Sequence, residues 1–141
     1  VLDDISSNVH QLCAELNSKY PGQKHSSFIV DVSKSADIDR LFAEIKAGYS
    51  GRVPNVVVNN AAVFCENTTS FLEQTERGFD HIMNVNLKSA FLITKAAATE
   101  LIARYPHDYT DHAARVKTYA SIVNIASIAG QTAYYGNNWY K

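Results

Sequence analysis

Ser127 and Tyr140 stand thirteen positions apart near the end of a 141-residue chain. The run Ser121-Ile122-Val123-Asn124-Ile125-Ala126-Ser127-Ile128-Ala129-Gly130 reads as an apolar strand that ends in a hydroxyl and a glycine. Tyr140 follows at a distance that lets its phenol come back beside that serine. An alcohol and a phenol converging at a strand's carboxyl end can hold a carbonyl oxygen by two hydrogen bonds, and the phenol can pass a proton. A free tyrosine titrates near pH ~10, so proton transfer at neutral pH requires a positive charge close by.

Two other polar groups fall at the ends of strand-like segments. Ser27-Phe28-Ile29-Val30-Asp31-Val32 reads as a strand closing on Asp31-Val32, and Asn55-Val56-Val57-Val58 leads into Asn59-Asn60-Ala61-Ala62. The latter run is continuously β-branched, the pattern of a strand buried on both faces. Ligands bind outside the carboxyl ends of parallel strands, where small residues let the backbone approach closely. Asn59 is better suited to stitching neighbouring strands than to touching a ligand.

Helix-like segments alternate with these strands, which predicts an α/β fold with a parallel sheet in a single domain over residues 1–141. Ile5 to Tyr20 carries an apolar stripe at Ile5, Val9, Leu12, Cys13 and Leu16 and stops at Pro21-Gly22. A second helix, capped by Ser35 or Asp37, presents Ile38, Leu41, Phe42 and Ile45, and a turn spans Gly48 to Pro54. After a polar loop from Val63 to Thr75, a long helix runs from about Gly78 to Arg104 with Ile82, Val85, Phe91, Ile93, Ala97 and Leu101 in its stripe. Its apolar residues spread over more than one side, so a second subunit is expected to cover it. Tyr105 to Lys117 reads as an extended polar loop, and Tyr119 to Ile125 as the last strand.

Composition narrows the field. A formal charge of −1 with 46% apolar residues excludes a strongly basic nucleic-acid binder. No apolar run reaches the roughly 18 residues of a membrane span. Cys13 and Cys65 do not form a disulfide framework and point to a reducing compartment. His107 and His112 have poor metal spacing, so no metal site is expected. Asn67-Thr68-Thr69 matches a glycosylation acceptor, but no signal peptide is visible to support that reading.

Taken in order, Asp31-Val32, Asn59-Asn60-Ala61, Asn84-Val85-Asn86-Leu87 and the Asn124-to-Gly130 run with Tyr140 resemble the short-chain dehydrogenase/reductase family over essentially the whole chain. The resemblance implies a partial Rossmann-like, doubly wound parallel sheet lacking the first βα unit and the C-terminal strands. It implies NAD as cofactor, with NADP open, and a small-molecule carbonyl or alcohol substrate. It makes Tyr140 the general acid/base, Ser127 the group that orients the substrate oxygen, and Asn86 the holder of a water in a proton relay. It sets Asp31 and Val32 against adenine and Asn60, Ala61 and Ala62 along the ribose and pyrophosphate. The family usually has glycine at the position of Ala62, so a methyl there requires φ below zero. Asp3 would accept from the ribose 2′-hydroxyl, which favours NAD over NADP.

Val56 to Ala61 and Asn86 to Ala96 are most similar to 3-oxoacyl-carrier-protein reductases and the related 17β-hydroxysteroid dehydrogenases. That implies 3-oxoacyl or steroid carbonyls, a homo- or hetero-tetramer built through the long helix 78–104, and the mitochondrial matrix, with the cytoplasm as alternative. A non-catalytic nucleotide-binding or assembly subunit of the same fold is the competing class. The family places its Gly-rich turn before this segment and a lysine four residues after the tyrosine, so the chain is expected to be an internal fragment. The 141-residue piece alone is therefore expected to be inactive. Measurable NADH turnover by the purified piece on carbonyl substrates would contradict this.

Overall fold

The computed structural model describes residues 6–64, 71–104 and 120–128. Helix α1 spans Ser6–Lys19, with Val9, Cys13 and Leu16 half-buried and Leu12 exposed. It closes as the Tyr20 N–H meets the Leu16 carbonyl at 2.9 Å, ahead of the turn at Pro21-Gly22. Asn17 then ties the helix to the next segment, donating from Nδ2 to the His25 carbonyl at 2.9 Å and accepting the His25 N–H at 2.8 Å. A side-chain amide carries the same donor and acceptor as a peptide unit, so it can stand in for a neighbouring strand.

The segment from Ser27 to Val32, expected as a strand, is in no ladder. Side chains of α2 take two of its backbone groups instead. Arg40 donates to the Ile29 carbonyl at 3.0 Å, and the Asp31 N–H donates to the Asp37 carboxylate at 2.9 Å. A strand exists only through its partner, and none is hydrogen-bonded to this segment among the described residues.

Helix α2 covers Ser35–Gly48. Neither expected cap serves as one: Lys34 holds the cap position without a side-chain bond, and Ser35 lies inside the helix. Asp37 is drawn away to the Asp31 N–H. At the other end Ser50 and Gly51 turn left-handed, with φ of 55° and 74°. Lys24 donates to the Gly48 carbonyl and Arg104 to that of Gly51. Cations thus meet the negative end of the helix dipole.

Strand β1 (Val56–Asn59) pairs in parallel with β2 (Ser121–Asn124). The reading of β1 as buried on both faces is wrong: Val56 and Val58 are 59% and 55% exposed. Val57 alternates inward, where it packs on the helices, and no described layer covers the opposite side.

The expected long helix is present but not uniform. Helix α3 (Glu76–Ile82) starts at Thr75, whose Oγ1 accepts the Gly78 N–H at 3.0 Å. A π-helical stretch, Met83–Lys88, follows and runs directly into α4 (Ser89–Arg104). The Ser89 N–H reaches back five residues to the Asn84 carbonyl, and its buried hydroxyl donates to the Val85 carbonyl at 2.5 Å. Of the stripe, Ile82, Val85, Ala97 and Leu101 are buried, whereas Phe91 is 61% exposed. No helix among the described residues is long and apolar enough to cross a membrane.

Helices α2 and α4 pack on β1 through Ile38, Phe42 and Ala97, flanked by Val57, Leu92, Ile93 and Ala96. A Lys46–Glu100 ion pair at 2.5 Å bridges the same two helices. Both partners are partly exposed, so screening leaves the pair about 0–1 kcal/mol. Apolar burial carries the junction. Phe42→Ala in the full-length protein is expected to cost about 3 kcal/mol, the lower end for emptying a buried phenylalanine site. Urea unfolding followed by circular dichroism measures it.

Candidate functional site

Parallel pairing places the carboxyl ends of β1 and β2 at the same edge of the sheet. The register matches Val56 with Ser121 and Asn59 with Asn124. The ladder runs from Ser121 N–H donating to the Asn55 carbonyl (2.8 Å) to Ile125 N–H donating to that of Asn59 (3.0 Å). Beyond that last bond both chains leave the sheet together. Asn60, Ala61 and Ala62 from one strand and Ala126 and Ser127 from the other line a cleft of about 560 Å³, joined by Val32 and Asn86. The volume lies within the roughly 300–1,000 Å³ of small-molecule and cofactor sites.

Asn86 lies in the π-helical stretch, where the widened turn brings its amide to the loop after β1. Its Oδ1 accepts the Val63 N–H at 2.8 Å and its Nδ2 donates to the Val63 carbonyl at 3.0 Å. This is the same peptide-mimicking clamp that Asn17 makes. Asn86 therefore holds the wall of the cleft through the Val63 backbone, a role distinct from the water-holding one that the resemblance implied.

Asn59 has the structural role expected of it. Its Nδ2 donates to Asn124 Oδ1 at 2.8 Å and to Thr94 Oγ1 at 3.3 Å. Its Oδ1 is buried and finds no donor among the described residues. A buried acceptor left so costs about 1–3 kcal/mol, which marks the junction as one that a further donor would stabilise.

Ala62 meets the condition on its methyl. Ser50 is the non-glycine residue with positive φ among those described, so Ala62 is not strained. With Ala61 it gives the cleft a low wall, which fits close approach of a dinucleotide backbone. Asp31 fits less well. It is not in the cleft wall, and its carboxylate closes its own turn. Oδ1 accepts from the Ser33 N–H (3.1 Å) and hydroxyl (2.6 Å), and Oδ2 pairs with Lys34 at 3.0 Å. An adenine amine would have to share an oxygen already in use. Val32, one residue on, is the member of the pair that reaches the cleft.

Ser127 is exposed at the cleft. Asp3 and Tyr140 lie outside the described residues, as do Cys65, Asn67, His107, His112 and the loop read over Tyr105 to Lys117. The sequence reading missed Asn124, Thr94 and the Val63 backbone. An asparagine inside an apolar strand was the available signal for Asn124, whereas nothing in a helical threonine marked Thr94.

Comparison with known proteins gives a consistent picture. Residues 1–141 match the family described as short chain dehydrogenase. The chain is 34% identical over 120 residues to (3R)-3-hydroxyacyl-CoA dehydrogenase of Mus musculus and 33% identical over 120 residues to that of Canis lupus familiaris. Each alignment covers 85% of this chain and 40% of the relative, so the chain spans well under half the length of these curated proteins. Among solved structures, sorbitol-6-phosphate 2-dehydrogenase from Erwinia amylovora aligns with a TM-score of 0.75 at 21% identity, over 96% of this chain and 46% of that one. That likeness establishes a partial Rossmann-like α/β fold.

The turn at Asp31 has a pH signature. The Ser33 hydroxyl, helped by Lys34 and the Ser33 N–H and opposed by burial, holds the carboxyl down from 3.8 to about 2. A depressed folded value stabilises the fold above the unfolded value near pH ~4, and this contribution is lost as pH falls toward about 2. In urea titrations across that window, wild type should lose its advantage over Asp31→Asn as the acid limb is descended. A gap that stays constant with pH would contradict the assignment.

Proposed function

The chain belongs to the short-chain dehydrogenase family, and on that footing we propose that the protein is an NAD(P)-dependent oxidoreductase interconverting a carbonyl and an alcohol. The observation that supports the reading is the cleft at the parallel strand ends, where Val32, Asn60, Ala61, Ala62, Asn86 and Ser127 meet. Val32 and the Asn60-to-Ala62 backbone would hold the dinucleotide, with Asp31 buttressing the turn before Val32. Asp3 would accept from the ribose hydroxyl and select NAD, because a carboxylate repels a 2′-phosphate. When bound, the nicotinamide supplies or accepts the hydride. Ser127 would donate a hydrogen bond to the substrate oxygen and fix its direction. Tyr140 would give that oxygen its proton in reduction and take it back in oxidation. Asn86, by holding Val63, would keep the wall opposite in place.

For substrate, the reading favours 3-oxoacyl and 3-hydroxyacyl thioesters, which is what the names of the mammalian relatives indicate; steroid-like ketones come second. The long helix keeps Leu87, Phe91 and Ile102 at 60%, 61% and 52% exposure, enough apolar surface to support assembly of a tetramer through it. A mitochondrial site of action accompanies the acyl-thioester reading.

Full-length protein should oxidise NADH with a 3-oxoacyl-CoA substrate. Tyr140→Phe is expected to lower kcat by about 10²–10⁴-fold, the range for loss of a positioned acid/base. NADH affinity, followed by fluorescence titration, should be unchanged. Equal turnover by the variant would refute the role of Tyr140, and no turnover by wild type on acyl or steroid ketones would refute the reaction class.

A further inference from the structure

We infer that Asp37 is a positioning residue for the Val32 wall of the cleft: its carboxylate, with Arg40 beside it, ties the turn from Asp31 to Lys34 onto α2. The inference rests on the dinucleotide reading of the cleft for its effect on binding, but its geometry stands apart from it. The turn is closed on itself. Asp31 Oδ1 accepts from the Ser33 N–H and hydroxyl, the Lys34 N–H donates to the Asp31 carbonyl at 3.0 Å, and the Lys34 ammonium meets Asp31 Oδ2. Such a unit keeps its own shape and moves as one piece, so the bonds that leave it set where Val32 stands. One is the first bond of α2, from the Ile38 N–H to the Lys34 carbonyl at 3.2 Å. A second runs from the Asp31 N–H to Asp37 Oδ2 at 2.9 Å.

These anchors grip opposite ends of the turn, with Val32 between them, and two anchors resist the rotation that one would allow. The chain leading into the turn is held by the same face of the helix. Arg40, three residues after Asp37, donates to the Ile29 carbonyl at 3.0 Å. In a parallel ladder, one residue of the neighbouring strand donates to the carbonyl of residue i and accepts from the N–H of residue i+2. Arg40 and Asp37 perform those two parts for Ile29 and Asp31. The guanidinium also lies 3.4 Å from Asp37 Oδ2 and 3.2 Å from Glu44 Oε1, which holds it over the turn. Leu41, four residues after Asp37 and so on the same side of α2, lines the cleft together with Val32. One turn of helix thus carries the acceptor, the donor and a piece of the cleft wall. The Asp37 side chain is 31% exposed, so replacing it leaves no sealed cavity.

The test uses full-length protein carrying Asp37→Leu, which removes the acceptor, and Asp37→Asn, which keeps a carbonyl oxygen for the Asp31 N–H without the charge. Loss of one charge-assisted hydrogen bond acts on the scale of tenfold, so Asp37→Leu should raise the Kd and KM for NADH roughly 10-fold while kcat at saturating NADH holds. Asp37→Asn should recover most of the affinity. Equal weakening in both variants would assign the effect to the charge at the helix start and overturn the inference. Unchanged affinity in the leucine variant, or a fall in kcat matching the rise in KM, would overturn it as well. Two readouts do not depend on activity. In wild type the Asp31 amide should be protected from hydrogen exchange, and rapid exchange there overturns the inference whatever the variants do. In crystal structures Val32 should move relative to Asn60 and Ala62 in Asp37→Leu and stay in place in Asp37→Asn. An unmoved Val32 overturns the positioning role, whereas a moved Val32 in a protein that binds no NADH overturns only the dinucleotide reading.

Discussion

The parallel pairing of β1 with β2 is the constraint on which the rest depends. Two parallel strands cannot be joined by a hairpin; the chain must leave one carboxyl end and return to the other strand's amino end by a crossover, commonly helical. Here the helical run from α3 through α4 lies in that crossover. Both strands consequently release their chain at the same edge of the sheet. Asn60 to Ala62 and Ser127, far apart in sequence, share one cleft for that reason alone. The helix then has to pass close to this edge, and its π-helical stretch is where Asn86 reaches Val63.

Energetically the described structure is uneven. A small apolar junction between α2, α4 and β1 holds Ile38, Phe42 and Ala97 away from water, while β2 and the outer face of β1 stay open. Near the cleft, order comes from polar bonds more than from burial. Asn59 and Asn86 each use an amide to complete backbone or side-chain pairing that a sheet neighbour would otherwise supply. Such bonds contribute modestly to stability, about 0.5–1.5 kcal/mol each, but they are directional and so fix geometry. A cleft built this way can hold reacting groups in register without a large core beneath it.

Much of the local structure was legible beforehand. The stripe from Val9 to Leu16 gave α1 nearly to its ends, the Ile38/Phe42 pattern gave α2, and the β-branched run gave β1 shifted by one residue. The structural role of Asn59 also followed from residue type, whereas the condition on the Ala62 methyl was met only in the folded backbone. The failures share a cause. Ser27 to Val32 has strand composition, yet a ladder needs a partner, and side chains of α2 bond the Ile29 carbonyl and the Asp31 N–H instead. Val56 and Val58 have the composition of a doubly covered strand, but composition does not supply the second layer. Ser35 and Asp37 are both good capping types, yet Asp37 found a stronger claim in the Asp31 N–H.

The sequence by itself determined the helices, the two strands that pair, the family, and the polar residues that close those strands, because periodicity and hydrogen-bonding type are local properties of the chain. Tertiary structure alone decided which of those residues meet. Asn59 and Asn124 are 65 positions apart, and Val63 and Asn86 are 23. Their bonds depend on register and crossover geometry, which are fixed only when the strands pair. It also decided that Asp31 turns toward Ser33 and Lys34 rather than into the cleft, because a carboxylate takes the nearest donors that folding brings within its reach.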